Sequence, residues 1–246
     1  MPFLYSCLDD EIRQQVEKKL QDHYADLVVS VRFAKLVEGE GIEIRGVSIL
    51  QPVPGGSPIE LADIDEIFVA CGTELAQLAS GLPPIEHIYV RRPKIYLTRT
   101  PEGAWSGEQL WPPPKLSERP ANITIENGVV ECADPTREPA GLYALRELNL
   151  TVKHEHRIAG VTEGAQTQED REDAKRADSG HVEIAPGAGS PTIHIMHVAG
   201  SLTADHLRQI VLEGHLQPAA RTWDVAGTVD GLDFAPEFLH AKLQGR

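Results

Sequence analysis

The chain has 246 residues, with 23 Lys and Arg against 37 Asp and Glu, so its formal net charge is −14. Because phosphate binding depends on basic residues, this balance argues against nucleic acid as a partner and against simple adhesion to an anionic membrane surface. The composition, with 41% hydrophobic residues, 21 Gly and 18 Pro, suits a folded chain of many short strands joined by turns.

The three cysteines, Cys7, Cys71 and Cys132, have no CxxC spacing. We expect buried small residues at these positions rather than a disulfide framework or a zinc site. No run of about 20 apolar residues is present that would span a bilayer. The opening MPFLY is interpreted as the end of a membrane helix whose body is missing from this sequence.

The first predicted element is a helix with Asp9 as its N-cap, ending near Tyr24. Its apolar residues recur every four positions and form one narrow stripe: Ile12, Val16, Leu20 and Tyr24. A helix of this kind covers another element and does not form a core alone.

Three strands are predicted next, over residues 29–34, 42–50 and 59–70. In the first, Val29, Val31 and Phe33 alternate with polar or small residues. The second changes phase at Gly46, and a β-bulge there would explain the change.

The middle of the chain is predicted to contain shorter elements. A helix over residues 73–81 begins at Thr73, and strands 85–90 and 94–99 are separated at Arg92-Pro93. A short helical piece follows near Leu110. Residues 123–133 form the next strand pair, with a turn at Asn127-Gly128.

The last part contains predicted strands at residues 143–153, 192–202, 209–217 and 222–229, and a helix at 236–243. Residues 155–189 are expected to be a disordered acidic insertion, because QTQEDREDAKRADSG contains no large apolar residue. The fold class is therefore mainly β, as a single domain over residues 1–246. We expect a long, meandering, antiparallel, curved sheet, open and groove-like, with an N-terminal helix and short connecting helices.

Several segments in order resemble the AsmA-like family of AsmA- and TamB-type envelope proteins, in its N-terminal portion. They are GIEIRGVSI, IELADIDEIFV, ELAQLASG, IEHIYVRRPKIYLTRTPEGAWS and ITIENGVVECAD, followed by VAGSL, VLEGHLQP and WDVAGTVDGLDFAPEFL. The family's membrane helix is absent from this sequence, and the chain is shorter than a typical member.

The resemblance implies a periplasmic protein, anchored in the inner membrane in a full-length form, with a taco-shaped β groove. The groove would bind or conduct phospholipid acyl chains and support lipid transport or outer-membrane biogenesis, with other envelope proteins as possible partners. It implies no cofactor and no catalytic activity.

The chemical motifs in the sequence point away from an enzyme. The chain has no G-x-S-x-G, no phosphate-binding loop and no dinucleotide fingerprint, so we predict no catalytic residues. His154, His156, His194 and His197 lack the further ligands that a zinc site needs, so we predict no metal either.

Two charged groups allow a functional and a structural interpretation. The carboxylates Asp63, Asp65 and Glu66 are assigned to a solvated strand face rather than to acid–base catalysis. Arg91 and Arg92 are expected to pair with acidic neighbours, the alternative being contact with lipid phosphates.

The candidate binding residues are the apolar members of the strands: Val29, Val31, Phe33, Ile42, Ile44, Ile95, Leu97, Ile123 and Ile125. Two arrangements are open at this point. In one, these residues line an open groove that takes lipid. In the other, they form the closed core of a soluble all-β interaction module, whose acidic insertion recruits a partner protein.

Overall fold

The computed structural model describes residues 2–72, 85–114, 117, 120–136, 141–158, 192–205, 207–217, 220 and 222–232. The first element is a helix, α1 (Pro2–His23). A short 3-10 helix, η1 (Ser106–Leu110), lies between the fourth and fifth strands. The strands are β1 (Val28–Val37), β2 (Gly41–Gln51), β3 (Ile59–Cys71), β4 (Ile85–Thr98), β5 (Asn122–Asp134), β6 (Gly141–Ile158), β7 (Thr192–Ala204), β8 (Leu207–Gln217) and β9 (Thr222–Leu232).

All nine strands belong to one open sheet, in which each strand lies beside its neighbours in sequence. This confirms the predicted mainly-β meander with an N-terminal helix. One pair departs from the expected antiparallel pattern, because β4 and β5 are parallel. Residues 99–121, which include η1, carry the chain back to the end of the sheet where β4 begins, as a parallel connection requires.

Helix α1 is longer than predicted. It begins at Pro2, so Asp9 lies inside the helix and is not its N-cap. Proline suits the first helical position because its missing N–H has no partner there in any case. No helix among the described residues is both long and apolar enough to cross a bilayer.

The predicted breaks in β4 and β5 are absent. Arg92 (φ 49°) and Asn127 (φ 55°) adopt left-handed backbone conformations, yet each strand pairs with its neighbours on both sides of that residue. The predicted breaks at Arg92-Pro93 and Asn127-Gly128 are therefore wrong, because residues typical of turns were interpreted as strand ends. Pairing with two neighbouring strands holds them within a continuous strand.

The predicted bulge at Gly46 is also wrong. β2 keeps one register with β3 from Arg45 to Val47, and the register shifts only between Ile49 and Leu50. Gly46 instead has φ of 64°, and a Cβ there would lie 2.8 Å from Nε of Arg32. Glycine accommodates this conformation because it has no side chain to clash.

Other predicted elements meet mixed outcomes. The short helical piece near Leu110 is confirmed as η1. The predicted start of the insertion, at residue 155, is wrong, because Glu155–Ile158 belong to β6 and pair with β7. Residues 159–189 lie outside the described residues, as do the predicted helices at 73–81 and 236–243.

Among the described residues, the best-buried part is a cluster on β1–β3. Leu61 and Val47 are its most buried large side chains, at 0% and 1% exposure. The predicted stripe of α1, from Ile12 to Tyr24, packs against this cluster, as does Leu110 of η1. Burial of its phenol raises the pKa of Tyr24.

Candidate functional site

The sheet can be analysed in rows, because residues paired across neighbouring strands point to the same side. One row that begins at Ala34 and another that begins at Leu36 each cross all nine strands. The first contains Ala34, Ile44, Ile67, Val90, Ile125, Leu150, Gly200, Leu212 and Gly227. The second contains Leu36, Ile42, Val69, Ile88, Ile123, Val152, Val198, Gly214 and Val225.

Two further rows occupy the other half of the strands. The row beginning at Val29 contains Val29, Ile49, Ala62, Ile95, Val130, Leu145, Ala204 and Leu207. The row beginning at Val31 contains Val31, Val47, Ile64, Pro93, Gly128, Leu148, Leu202, Ile210 and Val229. No position in the four rows holds a polar residue. We call the side that carries them the apolar face, and the opposite side the outer face.

If side chains alternated strictly along each strand, the two rows in one half of the sheet and the two rows in the other half would lie on opposite faces. A break in the alternation, which we call the crease, prevents this. In each of β1–β5, two consecutive residues between the rows point to the outer face. These pairs lie side by side across the sheet: Arg32 and Phe33, Arg45 and Gly46, Asp65 and Glu66, Arg91 and Arg92, Glu126 and Asn127. Positive φ angles occur in this line at residues 46, 92 and 127. In these five strands the crease keeps all four rows on one side.

Ion pairs occupy the outer side of the crease. The Arg91 guanidinium lies 3.1 Å from Glu126 and 2.6 Å from Glu66, and Arg92 lies 2.8 Å from Asp65. The hydrogen bonds that Arg91 donates to Glu126 and Glu66 raise its pKa, the one to Glu126 contributing most. The hydrogen bond that Arg92 donates to Asp65 lowers the pKa of that carboxyl group. The expected pairing of the two arginines with acidic neighbours is confirmed.

The apolar face is covered unevenly. Helix α1 packs along β1, and η1 packs on β3 and β4, where a Cβ on Gly107 would clash with the side chain of Leu97. Among the described residues, the substantial contacts of β5–β9 are with neighbouring strands alone. Exposure rises toward β9, reaching 44% at Val225 and 53% at Val229. Within the described part of the chain, the apolar face over β5–β9 therefore lies beyond α1 and η1, with its side chains half-buried by their neighbours on β5–β8 and exposed on β9.

Eight of the nine predicted binding residues lie on the apolar face. Phe33 is the exception: it pairs with Arg45 on the outer side of the crease and is 38% exposed. Its alternation with Val31 was misleading because Arg32 and Phe33 both point outward. Positions such as Val47, Ile67 and Leu150 were missed, although the phase change around Gly46 was a signal that could have identified Val47.

The other chemical groups form no reactive centre within the described residues. No three His, Cys, Asp or Glu side chains there are placed to hold a metal ion. His197 makes a 3.0 Å contact with Glu213, and the side chains of His156 and His194 lie outside the description. Cys71 and Cys132 are free thiols whose pKa values are raised by burial.

The apolar face can therefore act by removing hydrocarbon from water, without covalent chemistry. Apolar side chains and glycines offer no hydrogen bond that would fix one orientation of a ligand. Neither a scan against protein-family models nor a search of curated proteins matched this chain. The resemblance to the AsmA-like family consequently stays a prediction.

Proposed function

We propose that this chain is a non-enzymatic lipid-binding protein of the AsmA-like type, which holds phospholipid acyl chains against its apolar face. The observation that carries the proposal is the set of four apolar rows, which continue across β5–β9 beyond the cover of α1 and η1. A location in the cell envelope and a role in phospholipid transport or outer-membrane biogenesis belong to the same proposal.

Hydrophobic transfer supplies enough free energy for such binding. Each methylene removed from water contributes about 0.8 kcal/mol, so six buried methylenes contribute roughly 5 kcal/mol. Part of this offsets the lost freedom of the ligand. Because the rows present no polar group, an acyl chain can shift along the face without breaking a hydrogen bond, which suits conduction as well as storage.

Two exposed valines provide a matched test of the face. Val225 lies on the apolar face of β9 and is 44% exposed, whereas Val211 lies on the outer face of β8 and is 46% exposed. Both sites tolerate a charge in the folded state because both reach solvent. We expect Val225→Glu to weaken binding of a phospholipid with a fluorescent acyl chain by about tenfold, and Val211→Glu to leave it unchanged.

Native mass spectrometry of the purified chain gives the independent readout. We expect phospholipid to co-purify with the unmodified chain and with Val211→Glu, and less with Val225→Glu. Absence of lipid from the unmodified chain, together with equal dye binding by both variants, would refute the proposal.

A second pair separates an open groove from a closed core. Val129 and Val130 are adjacent, half-buried residues of β5 that point to the outer and the apolar face respectively. In an open groove, Val130→Glu folds and loses lipid, while Val129→Glu keeps it. If Val130→Glu does not fold and the unmodified chain and Val129→Glu hold no lipid, the apolar face is the closed core of an interaction module.

A further inference from the structure

The two edges of the sheet differ in how their backbone groups are satisfied. At the β1 edge, Gln21 of α1 accepts a hydrogen bond from the Val29 N–H at 2.9 Å and donates one to the Leu27 carbonyl at 2.7 Å. Glu17 accepts a hydrogen bond from the Val31 N–H at 2.9 Å. Side chains of α1 thus occupy the positions that another strand would take.

The β9 edge has no such cover within the described residues. β9 pairs with β8 along its full length, and no described segment pairs with its other side. Natural sheets protect a free edge with Lys, Pro or a short strand. β9 has 11 residues, reads TWDVAGTVDGL and contains no Lys, Arg or Pro.

The apolar rows continue onto β9, so the edge strand itself carries apolar residues on the apolar face. Trp223 of β9 pairs with Leu216 of β8 and is 73% exposed. Val225 and Val229 are the last members of two of the rows. Residues 222–231 are all exposed. An added strand with alternating apolar residues would extend the rows and gain main-chain hydrogen bonds at the same time.

Charge selects among the strands that could bind. Asp224 and Asp230 lie on the outer side of β9, where each is exposed. Asp230 forms an ion pair with Arg208, in which the closest nitrogen and oxygen are 3.6 Å apart. Opposite charges paired across strands stabilise a sheet, and like charges destabilise it. Two copies of β9 paired about Gly227 would set Asp224 against Asp230, and each copy carries a net charge of −14.

We propose that the β9 edge is a docking site for an extended strand of another polypeptide, in which apolar residues alternate with Lys or Arg. The apolar residues of that strand continue the apolar face, and its basic residues meet Asp224 and Asp230. This site is separate from acyl-chain binding, since it uses the backbone edge of β9 and its outer charges.

The test uses the full 246-residue chain and a fluorescent synthetic peptide that alternates valine with lysine and threonine. Its comparison peptide has glutamate in place of each lysine. We expect the lysine peptide to bind about tenfold more tightly, and hydrogen exchange to show new amide protection in β9. The double variant Asp224→Lys/Asp230→Lys should invert this preference.

Two controls keep the result specific. Glu131→Lys reverses one carboxylate charge at an exposed position of β5, half the charge change of the double variant, and should leave the preference unchanged. Asp224→Asn/Asp230→Asn removes the charges with little change in shape and should abolish the preference.

Four outcomes would overturn the proposal. Three are absence of binding, equal binding of both peptides, and protection that falls outside β9. The fourth is concentration-dependent dimerisation with new protection in β9, which would assign the edge to a second copy of this chain.

Discussion

Gln21 offers the sharpest test of how this sheet is closed on its β1 side. Its side chain donates to the carbonyls of Leu27 and Tyr24 and accepts from the Val29 N–H. Leu27 and Val29 are only 4% and 6% exposed. Gln21→Ala leaves one buried N–H and one buried carbonyl without these partners.

The magnitude follows from the two orphaned groups. A buried backbone group that loses its hydrogen bond costs about 1–3 kcal/mol, so Gln21→Ala should lower the free energy of unfolding by roughly 2–4 kcal/mol. Gln15 is the matched control on the same helix, where its side chain donates to Glu11 at an exposed position. Gln15→Ala should cost less than about 0.5 kcal/mol.

Urea unfolding of both variants, analysed with a common m-value, measures the difference. Amide hydrogen exchange at Val29 adds a local readout, because its N–H should exchange faster in Gln21→Ala. Equal unfolding free energies for the two variants, with unchanged exchange at Val29, would refute the view that α1 acts as a substitute strand for the β1 edge.

Three more predictions follow from single residues. Leu61→Ala should lower the free energy of unfolding by about 2–5 kcal/mol, measured by chemical denaturation, because Leu61 is fully buried. Asn127→Gly should raise it by about 0.5–1 kcal/mol, measured by thermal unfolding, because glycine adopts φ of 55° without strain. Burial, with a smaller effect of Lys153, lowers the pKa of His87. The folded state therefore binds the proton less readily, and stability should fall as the pH drops below about 6.5. The loss should continue through the lower folded pKa, and His87→Gln should show a shallower pH dependence in denaturation at each pH.

The fold class could be predicted because most strands carry an alternating pattern with turn residues between them. The apolar stripe of α1 could be predicted for the same reason, since a period of four residues specifies a face. The N-terminus of α1 could not, because the residues before Asp9 are as compatible with a helix as those after it.

The errors inside the strands share one physical cause. A residue such as Asn127 carries the same turn preference in a hairpin as in a crease, and only its neighbours in β4 and β6 decide between them. The parallel β4–β5 pair depends on the crossover over residues 99–121, for which no local pattern exists. Phe33 was misplaced because alternation cannot reveal two outward residues in succession.

The parallel β4–β5 pair also determines which connections lie on each rim of the sheet, a rim being one of the two ends at which the strands start and stop. Because β4 and β5 run in the same direction, the strand ends that flank residues 72–84 and those that flank residues 159–191 lie on one rim. In an uninterrupted antiparallel meander, these two long connections would start from opposite rims. Apart from the crossover, the other rim has only the shorter connections at 52–58, 135–140 and 205–206. The parallel β4–β5 pair thus places both long insertions on one rim of the sheet and leaves the other rim with short connections besides the crossover.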